Sequence, residues 1–344
     1  MGEHKLLPFP NGWFSVGFSK HLQPGELMTR RFMGQEVVVF RTQGGLPVMI
    51  DAYCPHLGAH FGHGGRVAGE ALHCPFHDFT FDHTGTCVST LYGSKPPPKA
   101  VVRTWSLHEV NGILFAYNHT EMRPPEWELP ALDWQGWTGL LTQEWEIRGH
   151  PQDICENGLD LGHLTVIHKY DHVQILKDLS MDGPFLSAAY TMQRSVFSGL
   201  KVRSEFEVVE HGLGFSVVEV KIPAYHLTSR LMITSTPIDG EKIALRIALS
   251  VNEVEQDLSR GTKEVLSEQK IPEKPGRFHH TVTQLPRRLF YGLIARLALN
   301  GFAHDIQQDF PIWQNKIYVD PPALAKGDGP IGKFRQWAKQ FYSI

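Results

Sequence analysis

Two short segments in the first quarter of the chain each place a histidine just after a cysteine. One begins Cys54-Pro55-His56, and the other reads Cys74-Pro75-Phe76-His77. The spacing is C-x-H, seventeen residues, then C-x-x-H, so each segment supplies one thiolate and one imidazole. Both groups are good ligands for transition metals. Together the segments predict a metal centre with two sulfur and two nitrogen ligands.

Two kinds of metal group accept this ligand set. A [2Fe–2S] cluster of the Rieske type binds two cysteines on one iron and two histidines on the other. Zinc also accepts two of each, but zinc sites usually pair C-x-x-C with a histidine pair, whereas each segment here mixes the two ligand types. The pattern therefore favours a Rieske-type cluster held by Cys54, His56, Cys74 and His77.

A second constellation lies further along the chain, where Asp160 precedes His163 and His168. Two imidazoles and one carboxylate form the facial triad of non-haem Fe(II) oxygenases, which leaves coordination positions open. A regular helix would turn residues five apart about 140° away from each other. Both histidines can therefore reach one ion only if the helix is distorted or ends between them. The carboxylate is expected from Asp305 or Asp309, which chemistry alone does not separate.

Short strands must position the first centre, because apolar runs alternate with turn residues from Trp13 to Tyr117. The strand candidates are Met28–Met33, Gln35–Phe40, Pro47–Ile50, Val101–Leu107 and Ile113–Tyr117. Asn111-Gly112 is a hairpin signal between the last two runs. The segment 123–126, Arg-Pro-Pro-Glu, indicates a linker, since prolines favour extended chain. We expect an all-β domain over residues 1–125 and a second domain over residues 126–344.

Longer alternating runs in the second segment predict an antiparallel sheet. These runs are Leu141–Ile147, Lys201–Val209, Gly214–Val220, Leu227–Thr236 and Lys242–Val251. Helical signals flank them at about Asp153–His168 and Pro286–Lys316. Strands with helices at both ends of the segment favour an α+β protein, with an antiparallel-sheet second domain and flanking helices. Neither a G-x-G-x-x-G pattern nor a P-loop occurs, so we expect no nucleotide cofactor.

The composition narrows the function further. A net charge of −3 over 344 residues gives no indication of a nucleic-acid partner. Four cysteines, at positions 54, 74, 87 and 155, are too few for a disulfide framework, so a reducing, cytoplasmic location is expected. The N-terminus shows no signal peptide, and the apolar run Leu289–Leu299 is shorter than the ~20 residues that span a bilayer.

The two constellations together resemble the α subunit of Rieske non-haem iron oxygenases. The second one reads E-N-x-x-D-x-x-H-x4-H from Glu156 to His168. The segment Asp309–Lys316, D-x-x-I-W-x-x-K, resembles the third-ligand motif of that family, which selects Asp309. The C-terminal residues 327–342 resemble the steroid branch, which includes 3-ketosteroid 9α-hydroxylases and cholesterol 7-desaturases.

This resemblance implies a mechanism and an assembly. A separate reductase or ferredoxin would supply electrons, which the [2Fe–2S] cluster passes to a mononuclear Fe(II) held by His163, His168 and Asp309. O2 would be used there to hydroxylate or desaturate a C–H position of a large hydrophobic substrate. The family forms homotrimers, in which Asp160 would bridge a cluster histidine of one subunit and an iron histidine of the next. Alternatively, Asp160 is an early-helix carboxylate favoured by the helix dipole.

Two other functions stay open at the level of the sequence. An oxygenase or demethylase of a smaller aromatic acid would need an arginine or lysine in its pocket, which the sequence does not place. A Rieske electron carrier would need only the first domain. Large apolar residues such as Phe185, Phe197 and Phe206 would suit an apolar pocket. Respiratory Rieske proteins carry a disulfide at the positions of Ala59 and Phe76, so none is expected here.

Overall fold

The computed structural model describes residues 6–195, 201–253 and 287–343. The chain divides into two compact units. The N-terminal unit comprises Leu7–Leu132, Thr236–Ile243 and Phe341–Ile344, and the C-terminal unit comprises Met1–Leu6, Asp133–Ser235 and Ala244–Gln340. Phe197, one of the expected pocket residues, lies outside the described residues.

The N-terminal unit is built from short strands, as the sequence predicts. They are β1 (Gly12–Phe18), β2 (Leu27–Phe32), β3 (Gln35–Arg41), β4 (Pro47–Asp51), β5 (Arg66–Ala68), β6 (Ala71–His73), β7 (Thr80–Phe81), β8 (Cys87–Ser89), β9 (Thr104–Trp105), β10 (Leu107–Val110) and β11 (Ile113–Asn118). They form three sheets, in the orders β1-β11-β10, β2-β3-β4-β9 and β5-β6-β7-β8. Asn111 and Gly112 both have positive φ and join β10 to β11, as a type I′ hairpin requires.

The predicted cluster residues lie in two connections that lead to or join strands of the third sheet. Cys54 lies in the connection between β4 and β5, and Cys74 lies between β6 and β7. Both cysteines are buried in a core that also contains Phe61, Phe79 and Phe81. Aromatic packing under the two connections holds their backbones in place, because such cores are as close-packed as organic crystals.

The C-terminal unit is a seven-stranded sheet with helices. Its strands are β12 (Leu141–Arg148), β13 (Asp171–Asp182), β14 (Phe185–Ser195), β15 (Lys201–His211), β16 (Phe215–Ile222), β17 (Leu227–Pro237) and β18 (Lys242–Val251). The order is β12-β18-β17-β16-β15-β14-β13, with antiparallel pairing from β13 through β17. The expectation of an α+β protein with an antiparallel second sheet is confirmed. The hairpin β13–β14 was not among the predicted strands.

The helices differ from the prediction in two places, because one predicted helix is divided and the C-terminal helix was not predicted. The unit contains α1 (Pro151–Asn157), α2 (Leu161–Val166), α3 (Arg287–Trp313) and α4 (Ile331–Ala338). One helix was expected over Asp153–His168, but two short helices occupy that stretch. The break has a local cause: Asp160 has an extended backbone, and its side chain accepts hydrogen bonds from the N–H groups of Gly162 and His163. An aspartate in this position starts a new helix.

Helix α3 covers one face of the large sheet. Tyr291, Ala295, Leu299 and Ala303 recur every four residues and are buried against sheet residues such as Leu249. This spacing keeps one side of a helix turned towards the core. Among the described residues, none of the helices, α3 included, is both long and apolar enough to cross a membrane.

Two candidate metal centres

The first cysteine segment is a tight loop closed by its own backbone. The N–H of Cys54 donates to the carbonyl of Ala59 (2.8 Å), and the N–H of Gly58 donates to the carbonyl of Cys54 (2.9 Å). Gly58 has φ +76°, a left-handed conformation that glycine adopts without steric cost. The loop thus turns His56 back towards its cysteine.

The second segment repeats this geometry at equivalent positions. The N–H of Cys74 donates to the carbonyl of Phe79 (2.9 Å), and the N–H of Asp78 donates to the carbonyl of Cys74 (3.1 Å). Asp78 takes the place of the glycine, with φ +53°. Aspartate tolerates this conformation better than most residues, and its Oδ1 accepts a 2.7 Å hydrogen bond from Arg66 and lies 2.9 Å from Nδ1 of His73.

The two loops bring all four predicted cluster residues together. The rings of His56 and His77 have centroids 4.7 Å apart. Burial, assisted by the neighbouring Cys74, raises the pKa of the Cys54 thiol to about 12. Nδ1 of His77 is buried and has no hydrogen-bond partner among the described residues. Two buried cysteine sulfurs lie beside two imidazoles, one of which has a ring nitrogen without a hydrogen-bond partner in the described part of the chain, and this donor set fits a [2Fe–2S] cluster.

The second centre gathers residues from two distant parts of the chain. His163, His168 and Asp309 each offer a ligand atom, and these atoms all lie within 4.8 Å of one another. Helix α2 ends at Val166, so His168 lies beyond the helix and its ring returns to within 5.0 Å of the His163 ring. The expectation that the helix ends between the two histidines therefore holds.

Hydrogen bonds aim both imidazoles at this point. The carbonyl of Asp160 lies 2.6 Å from Nδ1 of His163, and because a carbonyl only accepts, Nδ1 carries the proton and Nε2 keeps a lone pair. Nε2 of His168 lies 3.3 Å from Oδ2 of Asp309. The Asn157 amide donates to Oδ2 of Asp309 and contacts Nε2 of His163, both at 3.1 Å.

Electrostatics at this centre favour a positive charge. Burial opposes protonation of His168, but its hydrogen bonds with Asp309 and Gln308 outweigh burial and raise its pKa. Asp309 is itself buried, with 3% of its surface exposed. A buried carboxylate facing two imidazole nitrogens fits a divalent cation such as Fe(II).

The other aspartate on α3 has different partners. Nη1 of Arg194 donates to both carboxylate oxygens of Asp305, at 3.0 and 2.8 Å, and the Tyr170 hydroxyl donates to Oδ2 at 3.2 Å. An aspartate neutralised in this way is a poor metal ligand. The geometry separates Asp305 from Asp309, which chemical reasoning from the sequence left open.

Asp160 lies beside this centre, and only one of its two carboxylate oxygens caps helix α2. Oδ1 accepts from the N–H groups of Gly162 (2.9 Å) and His163 (3.3 Å), whereas Oδ2 lies 3.9 Å from Nδ1 of His163. Burial would raise the pKa of this carboxyl, but the His163 side chain and the backbone N–H groups lower it overall. Asp160 therefore stays ionised while it caps α2.

A charged cluster holds α1, the helix that carries Asn157. Arg335 donates from Nε and Nη2 to the two oxygens of Glu156, at 2.6 and 2.9 Å. Lys316 approaches Asp153 at 2.8 Å and Glu156 at 3.9 Å. Sequence analysis assigned no role to Glu156, Lys316 or Arg335, although each lies in a motif that carries the family resemblance. Only the fold brings them together.

Comparison with known proteins identifies a family for each of the two parts of the chain. Residues 12–105 match the family model of the Rieske [2Fe-2S] domain. Residues 116–274 and 290–342 match the model of the 3-ketosteroid 9alpha-hydroxylase C-terminal domain. A chain that only carried electrons would not match the second model.

Relatives match along almost the whole chain. The cholesterol 7-desaturase of Bombyx mori is 32% identical over 100% of this chain and 72% of its own length. The oxygenase component of the 3-ketosteroid-9-alpha-monooxygenase of Rhodococcus rhodochrous is 26% identical over 97% of this chain and 83% of its own. Among solved structures, the QL mutant of NdmA from Pseudomonas putida CBB5, with caffeine, aligns with TM-score 0.69 at 15% identity, over 96% of this chain and 89% of that chain.

A Rieske domain followed by a C-terminal domain of this type defines a class of oxidoreductases, the Rieske oxygenases. The chain belongs to the Rieske oxygenases whose C-terminal domain is of the 3-ketosteroid 9α-hydroxylase type. The electron-carrier alternative is thereby excluded. All four cysteines are free and buried.

Proposed function

We propose that this protein is the terminal oxygenase of a multicomponent system that hydroxylates or desaturates a C–H position of a large hydrophobic, steroid-like molecule. O2 would be the oxidant, and a separate reductase or ferredoxin would supply the electrons. The observation that carries the proposal is the convergence of His163, His168 and Asp309 in a chain with a Rieske domain.

In this proposal each centre belongs to one part of the chain. Residues 1–125 hold the [2Fe–2S] cluster through Cys54, His56, Cys74 and His77, and residues 126–344 hold Fe(II) through His163, His168 and Asp309. When bound, the cluster supplies single electrons and the mononuclear iron activates O2. The free cysteines support a reducing compartment such as the cytoplasm.

In the proposed reaction, the protein's side chains and backbone orient the groups that would bind the metal. The carbonyl of Asp160 and the amide of Gln308 hold the Nδ1 atoms of the two histidines, which leaves both Nε2 lone pairs for the metal. Asn157 fixes the Asp309 carboxylate by a hydrogen bond of 3.1 Å. Three ligands on one side leave the opposite side free for O2 and substrate.

The steroid-like substrate is supported by the relatives and by the charge at the site. The matched relatives are a cholesterol 7-desaturase and a 3-ketosteroid monooxygenase component. A smaller aromatic acid would need an unpaired cation, but Arg194, whose partner Asp305 lies one helical turn before Asp309, is already neutralised by that partner. A neutral pair suits a hydroxyl or ketone oxygen better than a carboxylate, because it offers no net charge to balance one.

We also propose the homotrimer and the bridging role of Asp160. Its Oδ2 is not used in capping, and its side chain is 37% exposed, so a histidine of a neighbouring subunit can reach it. Asparagine caps helices as well as aspartate does. Asp160→Asn should therefore keep α2 and both metals while turnover falls severely. Loss of mononuclear iron in this variant would contradict the bridge.

The first experiment is EPR of anaerobically purified, dithionite-reduced protein, with an iron assay on the same sample. We expect a Rieske signal and about three irons per chain. Product formation is then compared with a sterol, a 3-ketosteroid and a benzoate, using a surrogate reductase. Turnover of the benzoate alone would overturn the substrate proposal, and about two irons per chain that do not increase after addition of Fe(II) would overturn the mononuclear centre.

A further inference from the structure

His168 differs from His163 in what holds its second ring nitrogen. Nδ1 of His163 faces a backbone carbonyl, which the fold fixes and which can only accept. Nδ1 of His168 lies 3.0 Å from Oε1 of Gln308, a side chain. The orientation of His168 thus depends on a single side chain, which a substitution can remove.

A third side chain holds the Gln308 amide in turn. Nε2 of Gln308 lies 3.0 Å from Nε2 of His304, one turn earlier on α3. The amide nitrogen only donates and the amide oxygen only accepts. In this orientation His304 accepts, Gln308 accepts from Nδ1–H of His168, and the proton that a metal would displace from His168 is the one on Nε2, which faces Asp309 at 3.3 Å. The reversed amide would donate to Nδ1 of His168, so the neutral ring would carry its only proton on Nε2.

We infer that Gln308 is a positioning residue that fixes the tautomer and ring plane of His168 for metal binding. The inference rests on the proposed function, in which His168 is an iron ligand. Gln308 is partly buried on the side of α3 that carries Asp309, whereas its neighbour Gln307 is exposed. Partners on the second nitrogen of metal-binding histidines typically change metal affinity 10–100-fold when removed.

The test measures metal binding directly. Protein with an intact, oxidised cluster is stripped of mononuclear metal with a mild chelator and titrated with Co(II). Because an oxidised [2Fe–2S] cluster is EPR-silent, the Co(II) EPR signal reports the second centre alone. Gln308→Met keeps the shape but removes the amide, Gln308→Glu keeps an acceptor, and Gln307→Met is the matched control.

We expect Gln308→Met to weaken Co(II) binding by about 10–100-fold and to broaden the Co(II) EPR signal. Gln308→Glu should restore the affinity to at least that of the unaltered protein, since a carboxylate accepts from Nδ1–H more strongly than an amide. Gln307→Met should bind and give spectra like the unaltered protein. A loss of fold would also remove the reduced-cluster EPR signal, which serves as the folding check.

The outcomes separate the two proposals. Unchanged affinity and spectrum in Gln308→Met would overturn the positioning role while leaving the iron centre standing. Equal weakening in Gln308→Met and Gln308→Glu would also overturn it, because the acceptor would then not matter. Failure of the unaltered protein and of Gln307→Met to bind Co(II) would overturn the iron centre itself, and the role of Gln308 with it.

Discussion

The two centres are built in opposite ways. Each cysteine loop of the first centre is closed by backbone hydrogen bonds that span four or five residues, as between Cys54 and Ala59. The second centre joins His163 and His168 to Asp309, more than 140 residues later. Hydrogen bonds within a short loop determine the geometry of that loop. The distance between residues far apart in the sequence depends instead on how the whole unit packs.

The two centres are also supported by different kinds of side chain. The cluster loops rest on aromatic side chains, such as Phe79, which stacks on the His56 ring at 4.3 Å. The second centre is supported by polar contacts between helices, such as the pair of Arg335 and Glu156. Changes to charge should therefore act mainly on the second centre, and the predictions below test that difference.

The largest effect is expected from Asp309→Ala. Removal of a ligand should abolish mononuclear iron binding and reduce product formation to the limit of detection, while the reduced-cluster EPR signal persists. Asp305→Asn is the matched control on the same helix, and it should keep its iron because Asp305 pairs with Arg194. Retention of iron by Asp309→Ala, with its loss in Asp305→Asn, would reverse the assignment.

Arg335→Met should have the next largest effect. The side chains of Arg335 and Glu156 are only 12% and 11% exposed, so the substitution leaves a buried carboxylate with one weaker partner, Lys316. Breaking such a pair costs about 3–5 kcal/mol of the free energy of unfolding. Urea unfolding followed by tryptophan fluorescence measures this, with Lys333→Met, on the exposed side of α4, as the control. Equal losses of stability in both variants would show that the pair of Arg335 and Glu156 does not stabilise the fold.

Glu210→Gln should change how stability depends on pH. Glu210 is buried beside Cys155 under α1, it accepts a hydrogen bond from Ser216, and burial raises its pKa to about 7 from the usual 4.5. Its carboxylate therefore costs no stability below pH 4.5, and the cost grows to about 3 kcal/mol as the pH rises through 7.

The variant lacks this penalty, so its stability relative to the unaltered protein should rise between pH 5 and pH 8. The free energy of unfolding at several pH values checks this. Glu207→Gln, whose carboxylate on the same strand is 44% exposed, should show no comparable trend. A pH-independent difference between Glu210→Gln and the unaltered protein would mean that Glu210 is ionised throughout.

The smallest effect is expected in the cluster loops. A Cβ at Gly58 meets no atom within 4 Å, so Gly58→Ala carries only the cost of the left-handed conformation, about 1–2 kcal/mol. Gly58→Asn should cost less, because Asp78 adopts the same conformation in the second loop. The temperature at which the cluster absorption is lost on heating measures the stability of both variants. Equal costs would show that the two loops are not equivalent.

Much of the fold could be predicted from the sequence where the signal is local. Asn111-Gly112 predicted the hairpin between β10 and β11 because few residue pairs accept two positive φ angles. The β13–β14 hairpin was missed, although Asp182-Gly183 marks its turn, because β13 is mostly exposed and lacks the apolar alternation of a half-buried strand. The predicted helix over Asp153–His168 is divided into two, because Asp160 has an extended backbone and caps the start of the second helix.

The sequence by itself determined which residues could bind metal, since ligand type and short spacing are properties of the chain alone. It named four candidate cluster residues and two histidines as candidate iron ligands, and the family resemblance added Asp309 as the third. Only the tertiary structure decided that Asp305 pairs with Arg194, that Arg335 holds Glu156 and that Gln308 reaches His168. These contacts join residues more than 100 positions apart, and such distances leave no local pattern because packing, rather than neighbouring residues, sets them.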